Sequence, residues 1–209
     1  MRHPREIAKE LTPSFYMTVV SIIQSFALGY LFTVIGDRKD KLFQLDNSSI
    51  IIWLEAWAVF QIIVMNWHVT AQNVAIFARV YDWIDSYVPF LFAIPEYAMI
   101  ACIKEGNIRW WFYWLAVFVA LALAANIEMC IDVSRNEPEN AEIFRRLRTY
   151  FVGVSSYFGF GVFLFGAMGY YGPHLTLGWQ TVLVLVTILL FHVFAFGHHF
   201  LCWKRAAVA

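Results

Sequence analysis

Long apolar stretches separated by short polar clusters set the pattern of this chain. A helix needs about 20 mostly apolar residues to cross the hydrocarbon core of a bilayer. Six segments reach or approach that length: Pro13 to Ile35, Ser49 to Trp67, Tyr87 to Ile103, Trp110 to Ile131, Tyr150 to Tyr171 and Leu177 to Trp203. The third is the weakest, because it is short and holds Pro89, Pro95 and Glu96. Its entrance, Val80 to Ser86 with Asp82 and Asp85, is expected to continue it inward as an interfacial turn. The pattern predicts an all-α polytopic membrane protein, one transmembrane helical domain over residues 1–209, with no linker, low-complexity tract or convincing repeat. The first apolar run is too long, and too poor in small residues at a cleavage site, for a removable signal peptide.

Composition points the same way. The chain is 61% apolar and only 14% charged, against roughly half and about a quarter in soluble domains. The formal net charge is zero, so no basic field recruits nucleic acid. Cys102, Cys130 and Cys202 lack metal-type spacing and imply no disulfide framework.

Lys and Arg beside the spans give the orientation, since positive charge is retained on the cytoplasmic side. With the N-terminus inside, the inner segments hold Arg2, Arg5, Lys9, Arg79, Arg135, Arg145, Arg146, Arg148, Lys204 and Arg205. The outer ones hold Arg38, Lys39, Lys41, Lys104 and Arg109. Ten against five places both termini in the cytoplasm, most consistent with a bacterial inner membrane. Trp53, Trp110, Trp111, Trp114, Trp179 and Trp203 fall near span ends, where an indole buries its ring and keeps its N–H wet. In the inner loop Asp132 to Arg148, a turn feeds a short basic helix whose Arg145, Arg146 and Arg148 would meet anionic lipid headgroups.

The informative positions are polar ones inside the spans, because a charge at the bilayer centre costs at least about 2.5 to 3.5 kcal/mol. Glu55 and Glu96 each lie roughly 10 Å below the outer boundary by helical rise, in adjacent antiparallel helices, so they are expected to share one layer. Facing carboxyls cannot both ionise freely, which is the physics of a proton relay or cation site. The competing reading is that each only fixes helix packing. On the second span, Glu55, Asn66 and Asn73 share one face, while Gln61, His68 and Gln72 share another about 120° away. Two polar stripes suggest a central helix bordering a hydrated path, or simple interhelical hydrogen bonding. Gln24, with Ser21 and Ser25, makes a polar spot midway along the first span. In the fifth span, Ser155, Gly159 and Gly166 form a small-residue face, with Gly153, Ser156, Gly161 and Gly169 nearby, suited to close packing within the bundle or at a protomer interface.

His68, Glu128 and His199 are expected near the cytoplasmic boundary, with His192 two turns before His199, so a metal or haem site is a weak candidate there. No cofactor is predicted. No Gly-rich phosphate loop, Cys-x-x-Cys, His-Glu-x-x-His or Gly-x-Ser-x-Gly occurs, which leans the reading away from an enzyme. The six-span layout, with its polar second span and its Asn66-Trp67-His68 triplet, is loosely similar to the small bacterial relatives of the lysosomal potassium channels. That likeness covers topology; the Phe-Ser-Asp signature of those channels is absent from the first span, and no residue roles carry over.

These features point to an ion or proton conduit, channel- or transporter-like and homo-oligomeric. Its path residues would be Glu55, Glu96, Gln24, Gln61 and Asn66, and its partners the lipid bilayer and a cation or proton. The alternative is a non-catalytic membrane scaffold, accessory subunit or signalling effector of a larger complex. In that case the polar groups pin helices, and the fifth-span face and basic loop meet a membrane-protein partner. A redox protein using the histidines is the third reading.

Overall fold

The computed structural model describes residues 4–44, 46–76, 85–136 and 141–197, and every regular element among them is helical. The helices in chain order are α1 (Pro4–Asp37), the short α2 (Lys39–Leu42), α3 (Asn47–Ile76), α4 (Val88–Glu105), α5 (Ile108–Asn136), α6 (Ala141–Tyr171) and α7 (Leu177–Gly197). Among the described residues five stretches are long and apolar enough to cross a membrane: Leu11–Asp37, Asn47–Ile76, Ile108–Ile131, Leu147–His174 and Leu177–Ala195. Their outward faces display Phe26, Phe163 and Val193 at 66%, 80% and 65% exposure, a surface suited to lipid rather than water. The sixth long helix, α4, has 18 residues, three of them the charged Glu96, Lys104 and Glu105.

Cross-helix contacts fix the directions. Lys104, ending α4, bridges to Asp37, ending α1, at 3.7 Å, so these two run the same way. Trp53 near the start of α3 donates to the Leu42 carbonyl, and Trp67 further along donates to Ser21 Oγ, so α3 returns antiparallel to α1. Asn126 meeting Ser155, and Tyr157 meeting the Leu190 carbonyl, continue the alternation through α5, α6 and α7. The start of α1 and the end of α7 therefore lie at one end of the bundle.

The turn between α4 and α5 is tight because Gly106 adopts a left-handed φ of 72°, a conformation in which any Cβ is strained. The Gly106 and Asn107 N–H groups close the last α4 turn on Ile103 and Cys102, and Asn107 Oδ1 accepts from the Trp110 N–H to start α5. Arg38 packs over this turn and donates to the Lys104 carbonyl.

The main core gathers Leu31, Ile62, Ile63, Met99, Ile100 and Trp111, all at most 1% exposed. A smaller cluster at the opposite end joins Leu147 and Phe151 to Ile76, Met129 and Cys130.

Several expectations change. No separate basic helix precedes the fifth span: α6 is continuous from Ala141, because neither Gly nor Pro interrupts it before Gly153. Trp111 does not keep its N–H wet but is fully buried, since the Asn107 cap turns Trp110 outward and places its neighbour about 100° further round, on the core side. On α6, Ser155 does pack, accepting from Asn126 Nδ2 at 2.8 Å. A Cβ on Gly159 or Gly166, however, would meet nothing within 4 Å. Close approach occurs at Gly161 and Gly169, where an added Cβ would stand 3.1 Å from Val119 and 2.8 Å from the Tyr113 ring. Most of the Val80–Ser86 turn and the end of the sixth predicted span, with His199 and Trp203, lie outside the described residues.

Candidate functional site

On α4, Pro89, Phe92, Ala93, Glu96, Met99, Ile100 and Ile103 recur at helical spacing and are all buried. Glu96 thus occupies a core position in an otherwise apolar stripe, fully buried at 0% exposure. Two amides from other helices meet it. Asn66 Nδ2 on α3 donates to Glu96 Oε1 at 3.0 Å, and Gln24 Nε2 on α1 donates to the same oxygen at 3.4 Å. Glu96 Oε2 and Gln24 Oε1 are buried without a hydrogen-bond partner. Each such orphaned acceptor costs about 1–3 kcal/mol, so the junction stores an unmet demand for donors or positive charge. Beside it, Tyr97 stacks on Tyr30 with ring centroids 5.6 Å apart.

Glu55 is also buried, at 3% exposure, but at another depth. Its electrostatic neighbours are Arg38 and, on α4, Cys102. Cys102 lies six residues beyond Glu96, which is about 9 Å of helical rise. The two carboxyls therefore do not share a layer, because the antiparallel register sets Asn66, not Glu55, against Glu96.

The two polar stripes of α3 face different neighbours. Asn66 turns toward α1 and α4, whereas Gln61 Nε2 meets His192 Nε2 on α7 at 3.0 Å. The His192 Nδ1–H donates to the Ile188 carbonyl at 2.9 Å, leaving Nε2 to accept from Gln61. Of the five sequence-predicted path residues, Gln24, Asn66 and Glu96 converge, while Gln61 and Glu55 stand apart.

Among the described residues no three His, Cys, Asp or Glu side chains gather as metal ligands. His68, Glu128 and His192 are exposed, and His199 lies outside the described residues. Arg145 and Arg148 are exposed near the start of α6, while the Arg146 side chain is not among those described.

Three features escaped sequence reasoning. Arg38 was counted only as an outer-loop charge, yet it stands over Glu55 and the end of α4. A groove of about 910 Å³ runs along α1, lined by Ser14, Thr18, Ser21, Ser25 and Trp67. It meets a second, of about 410 Å³, at Ser25, where Tyr30 and Tyr97 form the wall. The signal was the three- to four-residue spacing of those hydroxyls, of which only Ser21 and Ser25 drew notice. Outside the spans, Asp46 caps α3. The Ser49 backbone N–H at 2.7 Å, aided by the Ser49 and Ser48 hydroxyls, holds its carboxyl below the usual carboxylate range.

Chemically, Glu96 can be an anion held by two N–H donors on one oxygen, or a neutral acid, and its bare second oxygen is where either a proton or a cation would be taken. Comparison with protein-family models, curated proteins and solved structures finds no match, so the functional reading rests on these residues.

Proposed function

We propose that this protein is a small membrane conduit for protons or cations, working as a homo-oligomer in a bacterial inner membrane. Here α4 serves as the sixth span and both termini face the cytoplasm. At 18 residues, or about 27 Å, α4 matches the thickness of the hydrocarbon core. The observation that carries the reading is Glu96, a fully buried acid with one oxygen unpartnered at a junction of three helices. Placing an acid there costs several times what one interhelical hydrogen bond returns, about 0.6 kcal/mol on average.

Burial of Glu96 favours a gated conduit over an open pore. Pro95 supplies a bending point beside the acid, because it removes the N–H that would bond the Leu91 carbonyl. Glu55 beneath Arg38 forms the outer station. In liposomes the protein should carry proton or monovalent-cation flux that falls about tenfold or more in Glu96→Gln, and severalfold in Glu55→Gln. Unchanged flux in both variants overturns the reading.

The bonds from Asn66 and Gln24 favour a second reading, a scaffold whose polar clasp ties α1, α3 and α4 together. A stoichiometric copurifying membrane partner, with no flux of any ion, would select it.

A further inference from the structure

The acceptors at the three-helix junction speak to what is carried. A hard metal cation is held by a shell of oxygen ligands, whether carboxylate, carbonyl or water. Around Glu96 the neighbours turn nitrogen inward instead: both amides present N–H groups, and both to Oε1. A cation approaching that oxygen would meet donors. What stays open is Glu96 Oε2 and, on the adjoining amide, Gln24 Oε1, two buried acceptors that no donor reaches. One proton supplies what this pair lacks. Bound to Oε2 it makes a neutral acid and ends the orphaning of that oxygen. Released, it leaves a carboxylate whose Oε1 already holds two N–H donors. The carboxylate is thus served by side chains already in place, and the proton fills the one carboxyl oxygen they leave bare, the condition for reversible proton exchange.

A groove also approaches the junction, ending at the residue beside the buried acid. The hydroxyl-bearing residues Ser14, Thr18, Ser21 and Ser25 line the α1 groove from its Pro13 end upward, and the groove continues to Tyr97, the residue next to Glu96. Thr18 and Ser25 direct their own hydrogens to carbonyls one turn back, and Trp67 Nε1 donates to Ser21 Oγ. Oxygen lone pairs therefore remain unused along one wall of the groove, whose other wall is the apolar Met17, Ile22 and Phe26. The charged and titratable neighbours at the junction are few: Gln24 on α1 and Asn66 on α3 are neutral, and Tyr97 is the adjacent titratable group on α4.

We infer that the Gln24–Asn66–Glu96 junction is a proton-binding site, not a metal-cation site, loaded at Glu96 Oε2 through the hydroxyl-lined groove of α1. This rests on the conduit reading and names its substrate. In each cycle an O–H bond forms at Oε2 from a water-borne proton and the same bond breaks on release, with no oxidation or reduction.

The test uses the full chain in liposomes, with an internal pH dye under an imposed potential and, separately, Na⁺ and K⁺ tracer uptake. Expected are proton flux, tracer uptake at protein-free background, about a tenfold loss in Glu96→Gln, and a severalfold loss in Ser25→Leu, which fills the groove where its two parts join. Na⁺ or K⁺ flux that depends on Glu96 overturns the inference and leaves the conduit standing. Proton flux untouched by Glu96→Gln overturns it as well, and absence of all three fluxes overturns conduit and inference together. Should Glu96→Gln fail to fold, infrared spectra of the unmodified protein decide. A protonated-carboxyl band indifferent to added Na⁺ and K⁺ is expected, whereas displacement of that band by either ion refutes the assignment.

Discussion

Two glycines three residues apart on α6 should respond oppositely to the same substitution. A Cβ at Gly169 would stand 2.8 Å from two carbons of the Tyr113 ring and 3.2 Å from a third. Ordinary carbon contacts begin near 3.5 Å, so the ring or the helix must yield by roughly 0.7 Å. Tyr113 has little freedom to do so, because Trp110 packs edge-on against it at 5.7 Å. Overpacking of this kind costs about 1–3 kcal/mol, and the helix returns about 0.5–1 kcal/mol when Ala replaces Gly. Gly169→Ala should therefore destabilise by up to about 2.5 kcal/mol, centred on about 1 kcal/mol. At Gly166 nothing lies within 4 Å, so only the helical gain remains and Gly166→Ala should be neutral or stabilising by up to about 1 kcal/mol. Denaturant titration in detergent, followed by circular dichroism, measures both, and adding Tyr113→Ala should relieve most of the Gly169→Ala penalty. If Gly169→Ala proved as stable as Gly166→Ala, the close packing of α5 on α6 at Tyr113 would be refuted.

Other variants probe the remaining contacts. Asn126→Leu removes the donor to Ser155 Oγ at 2.8 Å and should cost about 0.6–1.7 kcal/mol in the same titration; no loss would mean the α5–α6 bond is not made in the membrane. Asp46 should show its effect through pH. Because its carboxyl is depressed in the folded chain, the cap is complete above the ordinary carboxylate value of about 3.9 and is lost as pH falls through the lower folded value. Amide hydrogen exchange at Ser48, Ser49 and Ile50 should therefore quicken, relative to intrinsic rates, on acidification, and should already be quick near neutrality in Asp46→Ala; equal protection in both would refute the cap.

Where the helices lie was legible because lipid leaves little choice: backbone groups must be satisfied within each segment, so long apolar runs become helices. The two faces of α3 were legible for a related reason, since 100° per residue separates Asn66 from Gln61 whatever surrounds them. Periodicity fixes an angle, however, and names no neighbour. That Asn66 meets Glu96, and Gln61 meets His192, follows from which helices pack on either side of α3. Small residues follow the same rule. Gly159 and Gly161 look alike in a sequence, and only the position of α5 makes the second crowded and leaves the first open.

The placing of Glu55 with Glu96 failed for a different reason, and that failure shows how the site should be dissected. Depth was counted inward from the end of each helix, which assumes that α3 and α4 are flush. In the fold they are staggered: Glu55 acts on Cys102, while Glu96 binds Asn66. Side-chain packing sets that stagger, and the turn at Gly106 holds the end of α4 against Arg38 and Asp37. The two acids thus lie at different depths, not as one pair. Their substitutions should then add nearly independently, as at separated sites, whereas Gln24, Asn66 and Glu96 share one oxygen and should couple strongly. A double-mutant cycle on flux with large Asn66–Glu96 coupling and small Glu55–Glu96 coupling is the signature of this arrangement; the reverse order would restore the shared-layer geometry.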